Sequence, residues 1–440
     1  MYFAMDIFRH GLYIKKVRKE AEKVKHFKDD ALYAGRYFRT FYRWLLVATT
    51  VGAISGLVGS AFHLTVDCFT GVRESNSWLI FLMPVGGIII AAIYRLTKLE
   101  GEGTNNIIES IYKGEKIPSL LIPVIFAATA ITHLVGGSAG REGAALQIGG
   151  GIGSKVGRVL GLDDKDMPIV TLCGMSAVFS ALFGTPLTAT IFALEVISVG
   201  ILHYSAFIPC LVASMVAYAI SRLCGIAPTH FSVSMEPLEV TMILKVVILA
   251  VACALVSIAF CVAVHKTEKF AAEKMKNGFL RAAVGGVIVV GLTLLVGSHN
   301  YNGAGTDVIE NALTNGESPN WAFFWKIVFT AVTIGCGFRG GEIVPTFFIG
   351  ATLGCVIGPL FGIPASFAAA IALVAVFCGA VNCPIASIIL SVEMFGSSEL
   401  IYFALACGIS YMLSGYFGLY SSQKIMYSKT RAEFINRYAR

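Results

Sequence analysis

Between residues 41 and 420, apolar runs follow one another with almost no polar stretch between them. A chain that cannot present a water-facing side does not fold as soluble domains; lipid is the solvent that suits it. Composition agrees, because 56% of the 440 residues are hydrophobic and 14% are charged, whereas soluble domains carry about a quarter charged. A cytosolic enzyme, a nucleic-acid binder and a disordered chain are thereby excluded. The net charge of +7 gathers at the ends: residues 1–43 hold eleven Lys and Arg against five acids, and residues 421–440 hold five against one. Basic flanks stay inside, so both termini are expected in the cytoplasm and the number of crossings is expected to be even. The first apolar run starts near Trp44, behind a long charged segment, so no cleavable leader is expected in front of it. The reading is a multi-pass integral protein of the plasma (inner) membrane. Eleven cysteines lie scattered through apolar runs, Cys68, Cys173, Cys253 and Cys355 among them, with no CxxC pair. They read as small hydrophobes, and neither a metal nor a cofactor is expected.

Four segments are expected. Residues 1–43 form a basic helical segment in which Phe8, Tyr13, Val17 and Val24 recur among lysines; residues 44–224 and 225–420 are two membrane repeats; residues 421–440 are a basic cytoplasmic tail. Several apolar pieces hold only about 14–17 residues, fewer than the roughly 20 that a perpendicular crossing needs, so they are expected to be tilted, partial or paired. Repetition ties the two halves together. Pro186 is followed nine residues later by Glu195, and Pro384 by Glu393; Gly149, Gly153 and Gly157 form a ladder that Gly350, Gly354 and Gly358 repeat. The fold expected is an all-α polytopic membrane protein of two related halves with broken helices, its binding site at their interface. Close helix packing accounts for the ladders. The symmetric Glu195 and Glu393 suggest a structural role, and His133, in an apolar run, suggests a core histidine or a proton relay.

The turns that open the ladders carry charge into apolar surroundings. The first reads Gly136-Gly137-Ser138-Ala139-Gly140-Arg141-Glu142-Gly143-Ala144, and the second Gly335-Cys336-Gly337-Phe338-Arg339-Gly340-Gly341-Glu342-Ile343-Val344-Pro345. A charge at membrane depth is expensive and usually faces a pathway, so Arg141 and Glu142 count as functional by default, with an ion pair at a helix end as the plainer alternative. At a helix start, free N–H groups favour a negative charge, which Glu142 supplies itself or yields to an anion. Gly101-Glu102-Gly103 forms a third, weaker turn.

Together these residues resemble the CLC family of chloride channels and anion/proton exchangers, over roughly residues 40–430. Gly140-Arg141-Glu142-Gly143 is similar to that family's GREGP turn, Gly341-Glu342-Ile343-Val344-Pro345 to its GxFxP turn, and Gly101-Glu102-Gly103 stands where its GSGIP turn belongs. Leu419-Tyr420-Ser421 looks like its final helix with an anion-facing tyrosine. The resemblance implies a homodimer with one pore per subunit, inverted halves, and anions held between helix N-termini by Gly101, Glu102, Gly103, Gly140, Arg141, Gly143, Gly341, Ile343, Val344 and Tyr420. It implies that Glu142 is the gate, occupying an anion site when ionised and leaving it when protonated. Glu102 stands in place of the usual Ser and Ala144 in place of the GREGP Pro. Glu342 resembles the glutamate of the fluoride-exporting branch, although Val344 replaces its Thr. Val196 aligns with the inner proton-relaying glutamate of ordinary exchangers, so Glu342 or Glu102 is expected to substitute.

The expected function is chloride transport or conduction, with anion/proton antiport gated by Glu142; fluoride/proton antiport is the close alternative. Its expected partners are chloride or fluoride, protons, the bilayer and a second copy of the chain. Two remote rivals remain: another inverted-repeat transporter, for which Glu102, Glu142 and Glu342 could line a cation path, and a membrane hydrolase, since Gly136-Gly137-Ser138-Ala139-Gly140 fits GxSxG. Arg141 opposes the first rival. The second requires a strand before Ser138, where the sequence reads as helix.

Overall fold

The computed structural model describes the backbone of residues 2–440 and the side chains from residue 35 onward. Two compact units divide the chain at residues 47 and 48. The first is helical from Tyr2 onward, as the leading part of α1 (Tyr2–Ser75); the expected apolar stripe of Phe8, Tyr13, Val17 and Val24 lies outside the described side chains.

The second unit holds the remaining helices. After α1 come α2 (Met83–Leu96), α3 (Thr104–Lys113), α4 (Leu121–Leu134), α5 (Glu142–Val159), α6 (Met167–Phe183), α7 (Pro186–Glu195) and α8 (Phe207–Leu223). A parallel set follows: α9 (Val240–Lys274), α10 (Gly278–Val296), α11 (Thr306–Thr314), α12 (Ala322–Gly335), α13 (Ile343–Ile357), α14 (Ala365–Val381), α15 (Pro384–Phe395) and α16 (Leu400–Leu413). The sixteen α-helices among the described residues thus fall into two series of eight, matched in order. Six segments among the described residues are long and apolar enough to cross a membrane, while α4, α6, α7, α12, α14, α15 and α16 are the shorter apolar pieces that the sequence implied.

Lipid gives helices little hydrophobic reason to associate, so close packing of small residues must do it. The glycine ladders serve this purpose. A Cβ at Gly149 or Gly153 would strike the backbone of Gly174 or Val170 on α6, and one at Gly350 or Gly354 would strike Ala372 or Ala368 on α14. The same device holds α1 to α8, where Gly52 and Gly56 lie against the backbones of Ala213 and Ala217.

Two reciprocal contacts join the series. Gly140 and Gly341 exchange N–H···O bonds, both 2.7 Å, as an antiparallel bridge. Glu393, near the end of α15, accepts from the N–H groups of Leu187 (2.9 Å) and Thr188 (2.8 Å) at the start of α7; Glu195, at the end of α7, accepts from Ile385 (3.2 Å) and Ala386 (2.9 Å) at the start of α15. Helices α7 and α15 therefore lie antiparallel, each capped by the other's carboxylate. Pro opens both helices because the ring removes an N–H that has no partner there. The basic tail is folded: β2 (Lys424–Tyr427) pairs antiparallel with β3 (Phe434–Tyr438) and parallel with β1 (Ser198–Val199) in the first series.

Candidate functional site

The first charged turn is fixed on every side. Gly136 adopts φ +87°, which favours glycine, and the turn then hangs on α12, where the N–H of Ser138 donates to Thr333 Oγ1 (3.1 Å) and its hydroxyl pairs with Thr330 (3.0 Å). Ser138 is fully buried and follows a helix, α4, so the strand and exposed hydroxyl of a nucleophile elbow are missing. The loop before α11 closes the other side: Asn302 Nδ2 donates to the carbonyl of Gly136 (3.0 Å), and the N–H of Gly303 to that of Gly137 (3.1 Å). Beneath that loop lies Lys326, wholly buried, its ammonium bonded to the carbonyls of Tyr301 (3.2 Å) and Gly303 (2.7 Å) and 4.8 Å above the Phe348 ring.

The bridge between Gly140 and Gly341 brings the starts of α5 and α13 together, and Glu142 lies at their meeting point. Its side chain is fully buried, and Oε2 accepts from the N–H of Val344 at 3.3 Å. Both bridging glycines make room for this carboxylate, since a Cβ at Gly341 would lie 2.8 Å from Oε2 and one at Gly140 closer still. Oε1 has no partner. Two further buried polar atoms nearby are equally unpartnered: Tyr420 Oη and Gln147 Oε1. Buried polar atoms are nearly always bonded, so these three atoms hold unused hydrogen-bonding capacity.

Two cavities adjoin this meeting point through its neighbouring residues. One, of about 140 Å³, is lined by Asp67, His133, Arg141, Thr306, Val344 and Phe347. The other, of about 320 Å³, is lined by Gln147, His265, Glu268, Arg339, Glu342 and Tyr420, with Gly101, Gly103 and Gly340 in its wall. Glu142 lines neither; it is bonded to Val344, which faces the first, and follows Gly140, whose bridge partner precedes Glu342 of the second. Chemically, a carboxylate held here by a backbone N–H competes with any small anion for the same donor, and protonation weakens its claim.

The structure thus brings together Gly140, Glu142, Gly143, Gly341, Ile343 and Val344 at the meeting point, and sets Glu342 and Tyr420 on the larger cavity. Arg141 lines the smaller cavity, and its guanidinium is ion-paired at 2.6 Å to Asp67, a residue of α1, and not to Glu142 as the plainer alternative had it. Asp67 also holds His63 Nε2 at 2.9 Å. Glu102 stands apart: its neighbours Gly101 and Gly103 line the larger cavity but its own side chain does not, and burial raises its carboxyl above the ordinary range, with Glu115 adding to the effect. His133 is a core histidine on one side, its Nδ1 bonded to the carbonyl of Thr129 (2.9 Å), while Nε2 is unpartnered.

Sequence reasoning missed Asp67, Gln147, Lys326 and Lys429. Lys429, read only as part of a basic tail, reaches back to Asn382 Oδ1, the carbonyl of Tyr411 (2.8 Å) and Ser414 Oγ (3.0 Å). Asn382 in turn donates to Gln423 (3.0 Å), whose N–H bonds the carbonyl of Tyr420 (3.0 Å), so the tail fixes the tyrosine in the cavity wall. A lone Lys among polar residues gave no sign of this.

Comparison with known proteins agrees with this geometry. The family model described as voltage gated chloride channel matches residues 86–415. A chloride/fluoride channel protein of Pseudomonas syringae pv. tomato is 35% identical over 396 residues, covering 88% of this chain and 87% of that protein. The crystal structure of a CLC-type fluoride/proton antiporter is similar at a TM-score of 0.84 and 31% identity, over 87% of this chain and 98% of that one. A slow cyanobacterial chloride/proton antiporter, at 20% identity and a TM-score of 0.70 over 84% of this chain and 94% of its own, shares the fold. With the family model spanning most of the chain and the glutamate-bearing turns meeting across a two-series helical fold, the protein is a multi-pass membrane protein of the CLC voltage-gated chloride channel family.

Proposed function

We propose that this member of a family of anion channels and anion/proton antiporters exchanges fluoride for protons, with Glu142 as the moving gate. The observation that carries the reading is the position of Glu142: a fully buried carboxylate whose Oε2 takes the N–H of Val344, a residue lining the smaller cavity, and whose second oxygen is unpartnered. Ionised, it blocks the path by taking the donors that an anion needs. Protonated, it releases them and carries its proton as it moves, so that one side chain links the two flows.

The remaining assignments follow the path. Tyr420 offers its unpartnered hydroxyl to the anion, and Gly143, Ile343 and Val344 offer N–H groups at two helix starts, which the mutual bonds of Gly140 and Gly341 hold side by side. Glu342 delivers protons through the larger cavity in place of the acid that Val196 replaces. Arg141 draws anions into the smaller cavity while Asp67 holds it in place. Glu102 acts on the larger cavity only through the turn it occupies.

Fluoride is favoured as cargo by Glu342 in the second turn, by Glu102 in place of a serine, and by similarity to an antiporter described as fluoride/proton. The chain acts as a homodimer in the plasma (inner) membrane with cytoplasmic termini, which crosslinking and cysteine accessibility would test. The test of function is efflux from proteoliposomes followed with fluoride, chloride and pH electrodes. Uphill proton movement driven by a fluoride gradient, with little chloride flux, is expected. Rapid chloride flux would assign the chain to chloride instead, and anion flux without protons would make it a channel. Replacing Glu342 or Glu102 with Gln and finding full coupling would remove that residue from the proton route.

A further inference from the structure

A path for anions needs hydrogen-bond donors, because an acceptor's lone pair repels the cargo. Gln147 breaks this pattern. It lines the larger cavity together with Tyr420 and Glu342, its side chain is almost wholly buried, and its Oε1 accepts no hydrogen bond. The neighbours decide which end of the amide faces the path. Thr104 Oγ1 has a single proton and donates it to the carbonyl of Gly143 at 3.3 Å, so toward Gln147 it can only accept. Thr104 is met at 3.2 Å by the Nε2 amine, in keeping with that donation, and the carbonyl oxygen is left for the other side. The same chain of bonds sets the amide's position: through Thr104, two hydrogen bonds link it to the carbonyl of Gly143, the residue that directly follows Glu142.

Ionised carboxylates and halides offer such an oxygen no proton. A protonated carboxyl does. We propose that Gln147 Oε1 is the acceptor for the protonated form of Glu142 when that side chain turns toward the larger cavity, so that the amide stabilises the gate only while it carries a proton. Bare, ionised Glu142 is repelled by the same oxygen and returns to the Val344 N–H. Gln147 thereby makes the gate's position depend on its protonation, and Thr104 keeps the amide from flipping to present its amine. This inference rests on Glu142 being the gate.

The test is the ratio of protons to anions moved by proteoliposomes of the full chain, using fluoride and, in parallel, chloride. Gln147→Met keeps the volume and removes the acceptor; the expected result is continued anion flux with the proton-to-anion ratio lowered by about tenfold, as expected for the loss of one hydrogen bond. Gln147→Glu keeps an acceptor but loses the amine; it is expected to retain coupling. A merely structural role through Thr104 predicts the opposite for the second variant. A wild-type ratio in Gln147→Met, or a ratio in Gln147→Glu as low as in Gln147→Met, overturns the proposal; should Gln147→Met not fold, Gln147→Ala carries the same expectation. Glu142→Gln is run alongside. If it abolishes proton movement while Gln147→Met changes nothing, only the role of Gln147 is lost; if Glu142→Gln still moves protons, the gate and this inference are lost together.

Discussion

Two pairs of glutamates stand in matching positions in the two helical series, and their surroundings could hardly differ more. Glu195 and Glu393 each receive two backbone N–H bonds from the opposite helix. In Glu142 only Oε2 is engaged, by the N–H of Val344, and Oε1 is unpartnered, while Glu342 opens onto a cavity. All four are carboxylates near helix starts in an apolar chain, where the dipole and free N–H groups welcome negative charge. What separates them is completeness. A fully bonded carboxylate has nothing to gain by moving, whereas one with unmet capacity is poised to exchange partners with an ion.

The contrast is most exposed at Glu142. Glu142→Gln is expected to abolish proton movement while anion flux continues, and to leave thermal stability unchanged or higher because a buried charge is removed; normal proton pumping by this variant would erase the distinction between the pairs. Next comes Tyr420, the orphan donor on the same path. Tyr420→Phe is expected to weaken anion binding by about 1.5–3 kcal/mol, roughly tenfold to a hundredfold, in a titration of flux against anion concentration. Unchanged affinity would remove the tyrosine from the anion's surroundings.

The satisfied pair should respond in the reverse sense. Glu195→Ala uncaps α15 and is expected to cost about 1–2 kcal/mol of stability, read from thermal unfolding in detergent, with the proton-to-anion ratio of the surviving protein intact. Altered coupling here would mean that reciprocal capping is part of transport. The smallest effect is expected at Asp67, whose side chain is 54% exposed though paired to Arg141. Asp67→Asn should change stability by less than about 1 kcal/mol and shift chiefly the salt dependence of anion entry.

How much of this was legible beforehand varies with the range of the interaction. The sequence spoke clearly where spacing alone settles the matter: the short apolar pieces, the ladders built on Gly149 and Gly350, and the turns around Glu142 and Glu342 all follow from local pattern. The short amphipathic helices α3 and α11 escaped, because nine or ten residues with mixed polarity look like loop. The roles of Glu195 and Glu393 were only half visible. Their symmetry suggested structure, but each finds its partners about 190 to 206 residues away, which no window along the chain can reveal. Gln147 and Lys429 are hidden for the same reason: their meaning lies in which of their atoms are left over once distant neighbours have been served.

The exchange of caps between α7 and α15 also bears on how such a molecule can be taken apart. Neither series contains the carboxylate that its own Pro-opened helix requires, so a half made alone would lack a cap unless a second copy of itself supplied it. Split today between α8 and α9, where residues 224–239 form no helix, the two fragments made together in one cell should find each other and rebuild a working transporter.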